Sequence, residues 1–134
     1  MSPGAPAQPA TGLYHAPLAQ HPKRGSVTRA ASLKSCAKLA DALKKLADDY
    51  DFPDYFGANL DATYDCLTDP DWLGTSPTRL QIDGLSVLSR KDPEGVTALI
   101  EVLASVAEDW RANGHTGWIL IDQASPGVPS WPAP

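Results

Sequence analysis

Apolar positions along this chain recur with two different periods. Between residues 93 and 113 the spacing is helical, with Val96, Leu99, Ile100, Leu103, Val106, Ala107 and Trp110 forming one unbroken stripe. Asp92 stands where an N-cap belongs, Pro93 in the first turn and Gly114 just past the end, so both helix ends are marked. A stripe at Cys36, Leu39, Ala40, Leu43, Leu46 and Ala47 predicts another helix over residues 33–48. A shorter helix is predicted over 59–67, and 85–90 reads as a helical turn. Strand-like runs fall between them at 26–31, 79–83 and 117–122. The last of these is apolar at successive positions, as expected of a strand covered on both faces of a parallel sheet. Strands separated by helices call for right-handed crossovers. The expected fold class is therefore α/β, with a small three-stranded parallel sheet and about four helices.

The 134 residues are enough for one domain with its own core. Residues 1–24 are rich in Pro, Ala and Gln and are expected to be a disordered leader, carrying at most a short strand at 12–16. Residues 25–124 form the expected domain. Residues 125–134, with Pro126, Pro129, Pro132 and Pro134, form a proline-rich tail. The N-terminus has no apolar signal region and no run reaches membrane length, so a cytoplasmic location and no membrane partner are expected. Cys36 and Cys66 have neither CxxC nor metal-type spacing, and both fall on predicted helices as buried reduced thiols.

Charge changes this picture. The net charge is −5, but residues 48–71 hold eight Asp and no Lys or Arg, whereas residues 1–47 hold seven basic residues and one Asp. The remaining stretch, 72–134, holds four basic and seven acidic residues. A local block of one sign speeds encounter with an oppositely charged partner and argues against direct binding of nucleic acid, which needs basic surface. Asp48, Asp49 and Asp51 read by themselves as a solvated acidic loop. A calcium loop starting at Asp49 fails, because Pro53 and Asp54 occupy the flexible-ligand and turn-glycine positions and Leu60 the place of the bidentate Glu. His15, His21 and His115 form no metal-ligand spacing, and His115 reads as a surface turn past a helix stop. There is neither a nucleophile elbow nor a glycine-rich phosphate loop. No enzyme activity, metal or cofactor is expected.

The most specific run is Tyr55-Phe56-Gly57-Ala58-Asn59-Leu60-Asp61-Ala62-Thr63-Tyr64-Asp65-Cys66-Leu67-Thr68. Gly57 reads as a turn glycine and Asn59 as a helix start. Asp61 and Asp65 then share a helix face one turn apart with no basic neighbour, which costs roughly 0.2–0.5 kcal/mol. Asp61 has a structural reason of its own, since a carboxylate in the first turn favours the helix dipole. Asp65 has none, and is the strongest candidate for contact with an external cation. Tyr55 and Tyr64 flank the face as aromatic anchors, although Tyr64 also fits an inward position beside Leu60 and Leu67.

With Phe52-Pro53-Asp54 ahead of it, this run resembles the barstar family of ribonuclease inhibitors, and a weaker likeness covers 33–122. The resemblance implies an inhibitor that binds a basic barnase-type ribonuclease one to one and plugs its active site with an acidic helix. It implies that Asp65 takes the place of an RNA phosphate against arginine and histidine side chains. By the same resemblance Tyr55, Gly57, Asn59, Asp61, Tyr64 and Thr68 line that surface, and Asp109 is a further acidic contact. The chain departs from the family at Tyr64, where a tryptophan is usual, at Ala58, where an acidic residue is usual, and at 69–72. These departures bear on which partner is bound. The alternative is an immunity or adaptor protein that turns the same acidic face to a non-ribonuclease toxin or a nucleic-acid-binding protein. A mimic of DNA would need carboxylates spread along an extended surface instead of one helix.

Overall fold

The computed structural model of the chain describes residues 9–16, 26–53 and 57–132. Among them the chain forms, in order, β1 (Gly12–His15), β2 (Val27–Ser32), α1 (Leu39–Tyr50), α2 (Leu60–Leu67), α3 (Pro70–Leu73), β3 (Thr78–Asp83), α4 (Leu85–Lys91), α5 (Pro93–Ala112) and β4 (Gly117–Ile121). The strands make one parallel sheet in the order β1-β4-β3-β2. β4 is buried at all five positions because it is paired on both sides and covered on both faces. One face carries Ala31, Leu80, Ile82, Ile119 and Ile121 into the main core with the helices. The other carries Trp118 and Leu120 into a smaller cluster with Ala16, Tyr14 and Trp131.

The α/β class and parallel sheet agree with the expectation, but the sheet has four strands instead of three and there are five helices. The extra strand is β1, the short segment 12–15 inside the span read as a leader. Its register with β4 pairs residues more than a hundred positions apart, a contact that local composition does not signal. The chain end completes this edge. The His15 N–H donates to the Pro129 carbonyl and the Trp131 N–H to the His15 carbonyl, both at 2.8 Å. Trp131 then meets Tyr14 edge-on at 5.1 Å, and the Arg79 guanidinium lies 5.2 Å from its ring.

The fifth helix is α3, a four-residue turn with Asp69 as N-cap and Pro70 at its start. The first helix is also shorter than its stripe predicts. It begins at Leu39, because the Leu33 N–H continues the strand ladder to the Asp83 carbonyl and the Cys36 N–H closes a turn on Leu33. Cys36 therefore sits in that turn and not on a helix, though it is buried; Ala40 is exposed, and the buried face of α1 is Ala42, Leu43, Leu46 and Tyr50. Asp48 and Asp49 lie in the last turn of α1, where Asp49 pairs with Lys45 at 2.8 Å. The stripe of α5 is buried at every position named from the sequence.

Asp92 joins the starts of α1 and α5. One carboxylate oxygen accepts the Gly95 N–H at 3.0 Å, capping α5, and the other accepts the Leu39 N–H at 2.9 Å, capping α1. Gly95 keeps the space for this: a side-chain carbon there would fall against the Asp92 carboxylate and 2.9 Å from the Leu39 Cβ. Asp122 plays a similar part for α4, accepting the N–H groups of Gly84 and Leu85 at 3.0 and 2.9 Å. Replacing Asp92 by Ala orphans two helix-start amides at once, and a lost cap costs about 0.5–2 kcal/mol. Asp92→Ala should therefore lower stability by about 1–3 kcal/mol, and Gly95→Ala should do the same by displacing the carboxylate. Urea unfolding should show a lower midpoint at an unchanged slope; an unmoved midpoint in both variants would contradict the shared cap.

Candidate functional site

α2 is held from three sides. At its start the Asn59 side chain accepts the Ala62 N–H at 2.8 Å, and the Asn59 carbonyl accepts the Thr63 hydroxyl at 2.8 Å. Its inner face buries Thr63, Cys66 and Leu67. At its end the buried Trp110 indole of α5 donates to the Leu67 carbonyl at 2.9 Å, and Thr68 caps the turn with its hydroxyl on the Tyr64 carbonyl at 2.8 Å. The outward face is then fixed, and it carries Asp61 and Asp65, both exposed. Among the described residues neither forms an ion pair, unlike Asp49 with Lys45 and Glu108 with Arg111.

Asp61 lies in the first turn of α2, where its charge suits the helix dipole. Tyr64 is half-buried and packs on the core, so it takes the inward option in part, while its hydroxyl reaches Asp109 of α5 in a long 3.4 Å hydrogen bond. Burial, followed by the negative charge of Asp109 and the bond to it, raises the phenol above its usual range, and Tyr64 stays a donor. Asp109, placed on α5 by sequence 41 or more residues from the other candidates, is thereby brought to the same face. Thr68 and Asp109 both line a groove of about 560 Å³ that continues past Pro70 and Leu73 to Asn113 and His115. Tyr55 lies outside the described residues.

Gly57 is not the left-handed residue of the turn. That position is Ala58, at φ 53°, and a Cβ on Gly57 would make only ordinary contact with the Asn59 side chain at 3.4 Å. The sequence pointed to the glycine because glycine is the usual residue for this conformation. His115 is likewise no surface turn. Its Nε2 lies 2.9 Å from the Thr78 hydroxyl, its ring stacks edge-on to Trp110 at 5.5 Å, and its N–H donates to the Trp110 carbonyl at 2.8 Å. It thus backs the tryptophan that tethers α2. Nothing in the spacing of histidines could have shown this, since Thr78 is brought to it by the pairing of β3 with β4.

Among the described residues no group of three or more His, Cys, Asp or Glu could hold a metal, and no helix is long and apolar enough to cross a membrane. The arrangement is a pre-formed acidic surface with aromatic and hydroxyl groups at its margin. The family model for barstar, the barnase inhibitor, matches residues 27–122. The chain belongs to the barstar family. The match runs from β2 to just past β4 and contains every candidate residue from Tyr55 to Asp109, whereas β1 and the segment after Asp122 lie outside it. No curated protein matches the chain. Within the barstar-like domain, the acidic helix is a surface feature fastened to a core that otherwise reads as a plain α/β sandwich of helices on a sheet.

Burial lowers the pKa of His115. The unfolded imidazole titrates near 6.5, so above that pH neither state is charged and the contribution is constant. As the pH falls below about 6.5 the unfolded chain takes up the proton first, and stability is lost until the folded imidazole titrates. Between pH 7.5 and 5.5 the protein should therefore lose more stability than His115→Gln, measured by urea unfolding at each pH. Parallel pH profiles would show that His115 is not held neutral by its packing.

Proposed function

We propose that this protein inhibits a basic, barnase-type ribonuclease by binding it one to one and seating the exposed face of α2 in its phosphate-binding cleft. The observation that carries this reading is the pair of exposed carboxylates, Asp61 and Asp65, on a helix already capped and tethered in the free protein. A ribonuclease holds its substrate's phosphates with Arg, Lys and His. Carboxylates presented to those groups form charge-assisted hydrogen bonds, and a pre-ordered helix keeps the ordering cost of binding low. Asp65 is the residue that stands in for a phosphate. Tyr55, Gly57, Asn59, Asp61, Tyr64 and Thr68 are the further residues we propose to meet the partner, and Asp109 extends the acidic surface from α5. The exposed Gly57, with no steric need for glycine in the free protein, leaves room for a partner's backbone to approach. Cys36 and Cys66, the two cysteines of the sequence, are buried and form no disulfide, which suits a reducing compartment, and we place the protein in the cytoplasm on that ground.

Two classes of substitution should separate on this reading. Asp65→Ala leaves the partner's cations buried and unpaired, so it should weaken the complex by about 2 kcal/mol or more, some 30-fold in Kd, mainly through faster dissociation. Asp48→Asn, on the exposed last turn of α1, should instead slow association modestly and reduce its dependence on salt. Titration calorimetry against a barnase-type ribonuclease, with RNA cleavage and stopped-flow association measured alongside, checks both. Equal effects of the two variants on both rates would rule out the plug, and absence of binding would point to a different toxin as the partner.

A further inference from the structure

The connection between α1 and α2 leads into the acidic face, and both of its ends hold a non-glycine residue in the left-handed region: Asp51 at φ 53° and Ala58 at φ 53°. L side chains adopt that conformation at a cost, and it persists only where the surroundings over-determine it. The Ala58 end is held by the Asn59 cap. The Asp51 end is held by the segment that departs from the family pattern. From α3, the Trp72 indole donates to the Tyr50 carbonyl at 2.9 Å, and its ring meets Phe52 edge-on at 5.6 Å. The Arg29 guanidinium of β2 lies over the Trp72 ring at 4.8 Å and donates to the same carbonyl at 3.1 Å. Tyr50 is itself anchored to the sheet, its hydroxyl donating to the Gln81 carbonyl at 2.7 Å. The last carbonyl of α1 thus receives two donors, and both belong to one stack of Arg29, Trp72 and Phe52.

α3 begins three residues after α2 ends, and the Asp69 N–H still donates to the Cys66 carbonyl at 3.3 Å. Trp72 therefore links the far end of the acidic helix to the near end of the connection that leads into it. We infer that Trp72 is a positioning residue for partner binding: it holds Phe52 and the Asp51 turn, and so keeps the acidic face pre-formed, without belonging to that face. This rests on the proposed inhibitor reading for its consequence, but not for its geometry. A chain lacking the Trp72 stack would have to order the Asp51–Phe52 turn on binding, and affinity would fall by that ordering cost.

The experiment is native-state hydrogen exchange of the free protein combined with ribonuclease binding, on the full chain and on Trp72→Ala and Trp72→Phe. In Trp72→Ala the amides of Phe52 and Ala62 should exchange at least about tenfold faster while those of Ile119–Ile121 in β4 keep the change expected from global stability alone. Affinity for a barnase-type ribonuclease should fall about tenfold, with the salt dependence of association unchanged, because no charge is altered. Trp72→Phe keeps an aromatic ring in contact with Arg29 and Phe52, and Arg29 still serves the Tyr50 carbonyl, so both measurements should stay within about threefold of the original chain. Unchanged exchange at Phe52 and Ala62 in Trp72→Ala would overturn the inference. So would weakened binding without faster exchange, since Trp72 would then be a contact residue. Failure of the original chain to bind the ribonuclease would count against the inhibitor reading alone, because the exchange measurement decides the role of Trp72 without a partner.

Discussion

A helix of eight residues is too short to persist in water by itself, and α2 also carries two carboxylates on one face. Its existence depends on the bond from the Trp110 indole to the Leu67 carbonyl, made at the end where a helix has carbonyls to spare and no basic residue to satisfy them. That bond is buried, so breaking it would leave both an indole N–H and a carbonyl unmatched in the core. Trp110 is in turn fixed by the length of α5 beneath it and by His115 against its ring. The acidic surface is thus an outgrowth of the most strongly specified element in the chain. Its ordering is supplied by the core and not by α2's own sequence.

This division explains why the site tolerates an electrostatic arrangement that a free helix would resist. Asp61 gains from the first turn, but Asp65 gains nothing locally, and Asp48 sits at the unfavourable end of α1, where Asp49 is offset by Lys45. Each of these costs a few tenths of a kcal/mol, on the order of an exposed like-charge pair. The buried side of α2, with Thr63, Cys66 and Leu67 against the core, outweighs such losses many times over at roughly 25 cal/mol per Å² of apolar surface removed from water. Stability is provided on one face so that charge can be carried on the other.

How far the chain could be read without its structure follows from where each element's determinants lie. α5 was legible because its stripe, its cap Asp92, Pro93 and Gly114 are all within its own sequence. The start of α2 at Asn59 was legible for the same reason. α1 was misread as beginning at Leu33 because the group that sets its first turn, the Asp92 carboxylate, is 53 residues away. β1 is at most an option in the sequence, because β4 and the segment around Trp131 make it a strand. Gly57 marks the turn before α2, but nothing local marks Ala58 as its left-handed residue, a conformation that context holds. α3 carries a local signal in the Asp69-Pro70 pair, an N-cap followed by proline in the first turn. Of the site, the carboxylates of α2 were visible as an unexplained charge pattern. The reach of Tyr64 to Asp109 was not visible, because nothing within α2 shows which turn of α5 lies beside it.

Tyr64 brings these threads together. By the family resemblance an indole is expected here; this chain has a phenol, whose hydroxyl must find a partner when half-buried. It finds the Asp109 carboxylate, at a distance long enough for the contact to be weak. The bond therefore orients Asp109 without consuming its capacity: a carboxylate accepts several donors, and one long contact leaves most of that capacity directed outward. A phenol in this place thus couples α5 to the acidic helix where an indole, a donor at a different reach, would set another geometry. The phenol therefore bears on the shape of the surface between α2 and α5 and, on the proposed reading, on which cationic partner that surface would fit.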